Sequence, residues 1–375
     1  MEVETLLPSA VWVAVAGFLG AMVGSFLNVC IHRLPRGLSL SRPSRSFCPR
    51  CTRTLSWYLN IPMVSWIWLR GRCAFCRDPI PVRYLLVECL TAALFAAATW
   101  RLGTSQPGVL AAVYVLLAIL IAATFIDIEH LIIPDELTWG GVVAGLVCSM
   151  LWPALHAESL LWRGLVFSLV GTLLGYGLLW SVATIGRLAL GRQRIAFEAP
   201  VETVWRRTND TAELTVDGES MDWASLFFRG HERVRMRVDG GTLDGVSVGA
   251  GEWIWEFETL RCEGRVLDLN ALGTARLQVT AIVLPREVMG YGDVKFLAAI
   301  GAFLGWKAVL FSLLTGSMLG AVIGAVAVLS GRREFAGRIP FGPYLAAGAV
   351  LWIFAGTAMI SAYWEFVMGA GAHPA

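Results

Sequence analysis

The run 109–127 is mostly apolar and carries no charge until its last residue, Asp127. About 20 mostly apolar residues suffice to cross a bilayer, and in lipid the backbone must satisfy its own hydrogen bonds, which favours a helix. Comparable runs lie at roughly 9–31, 84–100, 137–153, 162–186, 294–305, 307–330 and 341–367, the boundary between the sixth and seventh helices falling near Gly305-Trp306-Lys307. The chain therefore reads as an α-helical polytopic membrane protein with about eight transmembrane helices. Composition agrees, because only 15% of residues are charged where soluble proteins carry about 25%.

The charges that do occur are unevenly placed. Sixteen of the 28 acids fall between Arg187 and Glu287. That block is read as a soluble insertion, and its sequence alternates with period two at 233–238 and 252–257, as strands do. Asp239-Gly240-Gly241 and Asp244-Gly245 supply turns. The expectation is a small all-β domain of about six strands with no chemistry of its own, a spacer or the docking site of an unknown partner. The domains are then a first helix at 1–31, a loop at 32–83, helices two to five at 84–186, the insertion at 187–288, and helices six to eight at 289–375. No basic run with interleaved aromatics is present, so no nucleic-acid partner is expected.

Orientation follows from the arginines. Loop 32–83 holds ten of them; Arg187, Arg192 and Arg194 follow the fifth helix, and Arg332, Arg333 and Arg338 the seventh. The opposite loops hold Arg101, Arg163 and Lys307. The positive-inside rule puts the arginine-rich side in the cytoplasm. With eight spans both termini lie outside, and Asp127, Asp293, the loop and the insertion share the cytoplasmic face.

Within the first loop, Cys48-Pro49-Arg50-Cys51 and Cys73-Ala74-Phe75-Cys76 present four thiolates with the spacing of a tetrahedral zinc site. Four protein ligands leave no place for an activated water, so a structural zinc is expected, clamping the segment that carries Trp57, Asn60, Ile61 and Pro62. The bland alternative is four buried thiols.

The chemistry is expected at two acids. Met289-Gly290-Tyr291-Gly292-Asp293-Val294-Lys295 sets a carboxylate behind two glycines at the mouth of an apolar run, and Asp127 ends another run. An ionisable group there is a functional-site hypothesis by default. Each acid alone has an ordinary explanation, an arginine partner for Asp127 and the helix dipole for Asp293. Glycines Gly290 and Gly292 would let the chain approach closely and turn sharply. Two carboxyls within hydrogen-bond reach cannot both ionise cheaply, so the pair holds one proton and can activate water against a carbonyl. Asp135, after Pro134, is accounted for as an N-cap; Glu129 and His130 are read as solvated; Glu88 and Arg83-Tyr84 are further polar candidates. His-Glu-x-x-His, Gly-x-Ser-x-Gly and P-loop motifs are missing.

These motifs resemble the type IV prepilin peptidases (leader peptidase/N-methyltransferases), membrane aspartic proteases of the Gly-x-Gly-Asp type. The resemblance rests on Gly24-Ser25-Phe26-Leu27-Asn28 with His32-Arg33-Leu34-Pro35, the cysteine loop through Ser65, Leu69 and Gly71, Ile126-Asp127 with Pro134-Asp135, Gly290-Tyr291-Gly292-Asp293, and Ile339-Pro340-Phe341-Gly342-Pro343-Tyr344-Leu345. It implies that Asp127 and Asp293 are the catalytic pair, with Gly290, Gly292, Asp135 and Lys295 in support. It implies prepilin or pseudopilin substrates, for pili or type II secretion, cut after a glycine on the cytoplasmic side of the bacterial inner membrane. It also implies N-methylation of the product with S-adenosylmethionine; Glu129, Asp135 and Glu136 are offered as contacts for the basic leader. Leu85 and the insertion depart from the family pattern. The alternative is a non-catalytic membrane scaffold or proton-coupled transporter with a zinc-ribbon loop.

Overall fold

The computed structural model describes residues 9–42, 46–48, 50–190, 192–208, 211–227, 233–262, 264–285, 289–330 and 340–370. Pro49, Glu287, Arg332, Arg333, Arg338 and Ile339, invoked above, lie outside the described residues. The chain divides into two compact units, Met1–Trp180 with Tyr291–Ala375, and Ser181–Gly290.

The first unit is helical. Its elements are α1 (Ser9–Arg33), a short α2 (Val64–Trp68) in the cysteine loop, α3 (Arg83–Leu102), α4 (Pro107–His130), α5 (Asp135–Leu151), α6 (Leu161–Leu190, whose last turns belong to the other unit), α7 (Tyr291–Leu329), α8 (Gly342–Leu351) and α9 (Thr357–Ala370), the last two joined by a π-turn at Trp352–Gly356. Among the described residues, six stretches are long and apolar enough to cross a membrane: Ala10–Arg36, Arg83–Leu102, Pro107–His130, Leu161–Leu188, Tyr291–Leu329 and Gly342–Phe366. Large apolar side chains on them, including Phe18, Leu173 and Leu314, face outward, as suits a lipid surround. Ile31, Val87, Ile121 and Ile126 pack inward between α1, α3 and α4.

The expected spans at 137–153 and 294–330 take a different form. The first is α5, only 17 residues long. The expected sixth and seventh spans form the 39-residue α7, broken at Gly305 with φ 76° and ψ 179°. Only glycine adopts that conformation at little cost. A break frees backbone groups that lipid cannot satisfy, and here the carbonyl of Ala302 accepts hydrogen bonds from Ser168 Oγ at 2.6 Å and Ser149 Oγ at 3.0 Å.

The second unit is a nine-stranded antiparallel sheet, among the described residues, rather than the six strands expected. It comprises β1 (Arg192–Thr208), β2 (Thr211–Val216), β3 (Glu219–Asp222), β4 (Val234–Leu243), β5 (Val246–Val248), β6 (Gly251–Trp255), β7 (Thr259–Cys262), β8 (Arg265–Asp268) and β9 (Thr274–Pro285). The order is β3-β2-β1-β9-β4-β6-β7-β8, with β5 on β4. Strands β3, β5, β7 and β8 have three or four residues, too few to print a period-two pattern. The alternation that was legible is real: Val234, Met236, Val238, Trp253 and Trp255 all point into one core, with Trp205 and Trp223. A bulge between Ala196 and Val201 interrupts the long β1–β9 ladder.

Candidate active site

Two helix ends and one loop build the centre. Asp127 lies in the last turn of α4, which closes at Leu131 (φ 54°) with the Leu131 N–H donating to the Asp127 carbonyl. Asp293 lies in the first turn of α7. Both side chains are buried, at 5% and 9% exposure. They are close enough for the charge of Asp127 to act on Asp293. Asp127 Oδ2 accepts a hydrogen bond from the backbone N–H of Gly342, at the start of α8, across 2.9 Å. Asp293 Oδ1 is buried without a hydrogen-bond partner among the described residues. A buried, unsatisfied carboxylate oxygen is costly.

Ile133, buried in the α4–α5 connection, packs between the two glycines that frame this site. A Cβ on Gly292 would sit 3.1 Å from Ile133 Cβ, and one on Gly342 would sit 2.8 Å from Asp127 Oδ2 and 2.9 Å from Ile133 Cδ1. Gly292 is already helical, so close approach is its use there. Gly290 is exposed just ahead of α7.

The flanking acids are engaged, and for Asp135 this corrects the sequence-based reading. Pro134 occupies the N-cap of α5 and Asp135 is the first helical residue, with no capping hydrogen bond. Asp135 instead pairs with Lys295 at 2.6 Å. The Lys295 ammonium stands 5.9 Å from both the Trp139 and Tyr291 rings, and the Tyr291 and Tyr176 hydroxyls are 3.4 Å apart. Glu129, expected to be solvated, is exposed and also salt-bridged to Arg83 at the start of α3; His130, expected to be solvated as well, has its Nε2 buried. Trp139, Tyr176, Ile133 and the Gly342 N–H were not singled out from sequence. Gly342 alone had a signal, its place in the 339–345 motif.

The four loop cysteines converge. Their Sγ atoms all lie within 4.8 Å of one another, with Cys48 Sγ and Cys76 Sγ 3.8 Å apart. A tetrahedral zinc at about 2.3 Å from each sulfur requires sulfurs about 3.8 Å apart, so the cluster fits that ion. The two pairs sit in matching turns. Cys48 N–H donates to Arg53 O and Thr52 N–H to Cys48 O, as Cys73 N–H does to Asp78 O and Arg77 N–H to Cys73 O. Thr52 and Arg77 both take positive φ, and Arg50 of the first turn pairs with Asp78 of the second.

Between this loop, α1 and the start of α3 lies a separate cavity of about 210 Å³. Ser25, Asn28, His32, Asn60, Trp66 and Glu88 contribute to its wall. Glu88 accepts the Met63 N–H at 2.6 Å, and Asn28 Nδ2 donates to Tyr84 O at 3.0 Å. Asn28 Oδ1 is buried without a partner among the described residues.

Comparison with known proteins places this arrangement. The family model described as the Bacterial Peptidase A24 N-terminal domain matches residues 18–102, and that of the Type IV leader peptidase family matches residues 114–192 and 264–325. A prepilin leader peptidase/N-methyltransferase of Aeromonas hydrophila is 32% identical over 88% of this chain and 87% of its own. The chain belongs to the type IV leader peptidase family. Another leader peptidase of that name, from Burkholderia pseudomallei (strain 1026b), is 30% identical over 94% of this chain and 88% of its own; one from Myxococcus xanthus is 49% identical over 34% and 37%. No solved structure matches. With six helices, among the described residues, long and apolar enough to cross a membrane, this family member is a multi-pass bacterial membrane protein. The second family segment resumes at residue 264, so most of the β-sheet unit falls between the matched parts.

Proposed function

We propose that this chain is a membrane aspartic endopeptidase that removes the leader of type IV prepilins or pseudopilins after a glycine, and then N-methylates the new terminus. The observation that carries the proteolytic half is the Asp127–Asp293 pair, brought together from helix ends far apart in sequence. In the reaction, the ionised carboxylate takes a proton from water as the water oxygen attacks the scissile carbonyl. The protonated partner donates a hydrogen bond to that carbonyl and later a proton to the leaving amine. The Gly342 N–H holds Asp127 in place, and the unpartnered Oδ1 of Asp293 is free to bind water. Lys295 and Asp135 brace the first turn of α7 against α5.

The cysteine cluster is assigned a structural zinc, since four thiolates close its coordination sphere. S-adenosylmethionine, when bound, supplies an electrophilic methyl group. The cavity beside the cysteine loop fits such a ligand, because Glu88 and the orphaned Asn28 Oδ1 offer acceptors to cationic and amino groups on an otherwise largely apolar wall. We read α5 and both parts of α7 as crossing the bilayer, giving eight spans with the aspartates on the arginine-rich, cytoplasmic side. The name carried by the relatives supports both activities. Incubating the reconstituted protein with a prepilin and S-adenosylmethionine should give a product shortened at a glycine and heavier by one methyl group on mass spectrometry. An intact prepilin contradicts the reading.

A further inference from the structure

The β-sheet unit carries an unassigned surface. Cross-strand pairing puts Arg194 of β1 opposite Val283 of β9, Val283 opposite Arg235 of β4, Arg235 opposite Ile254 of β6, Ile254 opposite Arg261 of β7, and Arg261 opposite Val266 of β8. Their strand neighbours Ile282, Met236, Trp253, Trp255, Leu260 and Cys262 are buried in the core. Side chains alternate between faces along a strand, so the six residues form one row on the outer face. Neighbouring strands are about 4.8 Å apart, which spaces the three arginines about 10 Å from one another with an aliphatic side chain between each pair.

We infer that this row is a docking face for anionic lipid headgroups of the bilayer that the helices cross. This goes beyond the proposed peptidase and methyltransferase activities and does not depend on them. Three observations support it. The first is position: Arg194 lies four residues after Leu190, the end of α6, so a fully extended chain keeps it within about 14 Å of that helix. In the last turns of α6, within the same unit, Val182, Ile185 and Leu188 are 50%, 65% and 82% exposed, as residues in contact with lipid would be.

The second is charge. Between Arg187 and Glu287 sixteen acids outnumber thirteen arginines, so the unit as a whole is repelled by an anionic surface and must turn a basic face toward it. That face holds Arg194, Arg233, Arg235, Arg237 and Arg261. Glu252 pairs with Arg235 at 3.7 Å, and Glu256 with Arg233 at 2.9 Å and Arg261 at 3.5 Å; among the described residues, Arg194 and Arg237 make no salt bridge, although Glu252 stands opposite Arg237 across the β4–β6 ladder. A basic leader peptide would be repelled here.

The third is chemistry. Guanidinium groups bind phosphate oxygens in a bidentate manner, and Val283, Ile254 and Val266 offer apolar contacts at headgroup depth.

The test is arginine footprinting of the full-length protein with phenylglyoxal, read by mass spectrometry. The protein is placed in nanodiscs of phosphatidylcholine alone or of phosphatidylcholine with phosphatidylglycerol. Arg194, Arg235 and Arg261 should react several-fold more slowly in the anionic discs. Arg206 and Arg276, towards the opposite ends of β1 and β9, should react equally in both. High salt should erase the difference, because screening shortens the reach of the headgroup charge. Equal reactivity of the row in both discs overturns the inference and leaves a protein partner as the occupant. Uniform slowing of all arginines overturns it as well.

Discussion

The backbone N–H of Gly342 reaches Asp127 Oδ2 across 2.9 Å, a hydrogen bond between residues 215 apart in the chain. It ties the start of α8 to the end of α4 and leaves no room at Gly342 for a side chain, because a Cβ would lie 2.8 Å from the oxygen it serves.

Gly342→Ala should therefore displace Asp127 without unfolding the bundle. Small misplacements of a reacting group cost up to about 10²-fold in rate, and a loss of that order in kcat for prepilin cleavage is expected. Gly140→Ala is the control, since nothing lies within 4 Å of the added methyl. A Gly342→Ala enzyme of normal kcat would show that the bond does not position the carboxylate.

The pH dependence of kcat/KM should have two limbs. On the acid side both aspartates carry protons and neither can take one from water. On the alkaline side both are ionised and neither can donate to the carbonyl. The limbs belong to the pair rather than to either residue. A single-limbed profile measured on one prepilin argues against a shared proton.

Much of this site was legible before the fold was seen, and for a physical reason. Asp127 and Asp293 stand where apolar runs end, and the positive-inside rule leads to the expectation that both ends share one face. The Cys-x-x-Cys pairs were equally plain, since a four-thiolate site imposes spacing on the chain. What escaped were contacts made by groups that leave no mark in a sequence. The Gly342 N–H is a backbone donor, Ile133 is an ordinary aliphatic residue, and Asp135 carries the same signal whether it caps a helix or pairs with Lys295. In the sheet, the stretches 233–238 and 252–257, which fall largely in β4 and β6, had a readable period, while strands of three or four residues had none.

Metal content gives a third test. The purified protein should contain one zinc per chain, and Cys73→Ser should lose it. The loop fastened by the two matching turns should then loosen, lowering the thermal unfolding midpoint. Bound zinc in the Cys73→Ser protein equal to wild type would remove Cys73 from the ligand set.

The central claim is that Asp127 and Asp293 act together on one water. The most direct measurement is single-turnover cleavage of a purified prepilin by the reconstituted Asp127→Asn and Asp293→Asn proteins, with methylation of a pre-cleaved pilin followed in the same preparations. Removing the general base or acid costs about 10²–10⁴-fold, so each variant should lose cleavage by at least that factor while methylation of the pre-cleaved pilin persists. Cleavage at the wild-type rate by either variant would contradict the account.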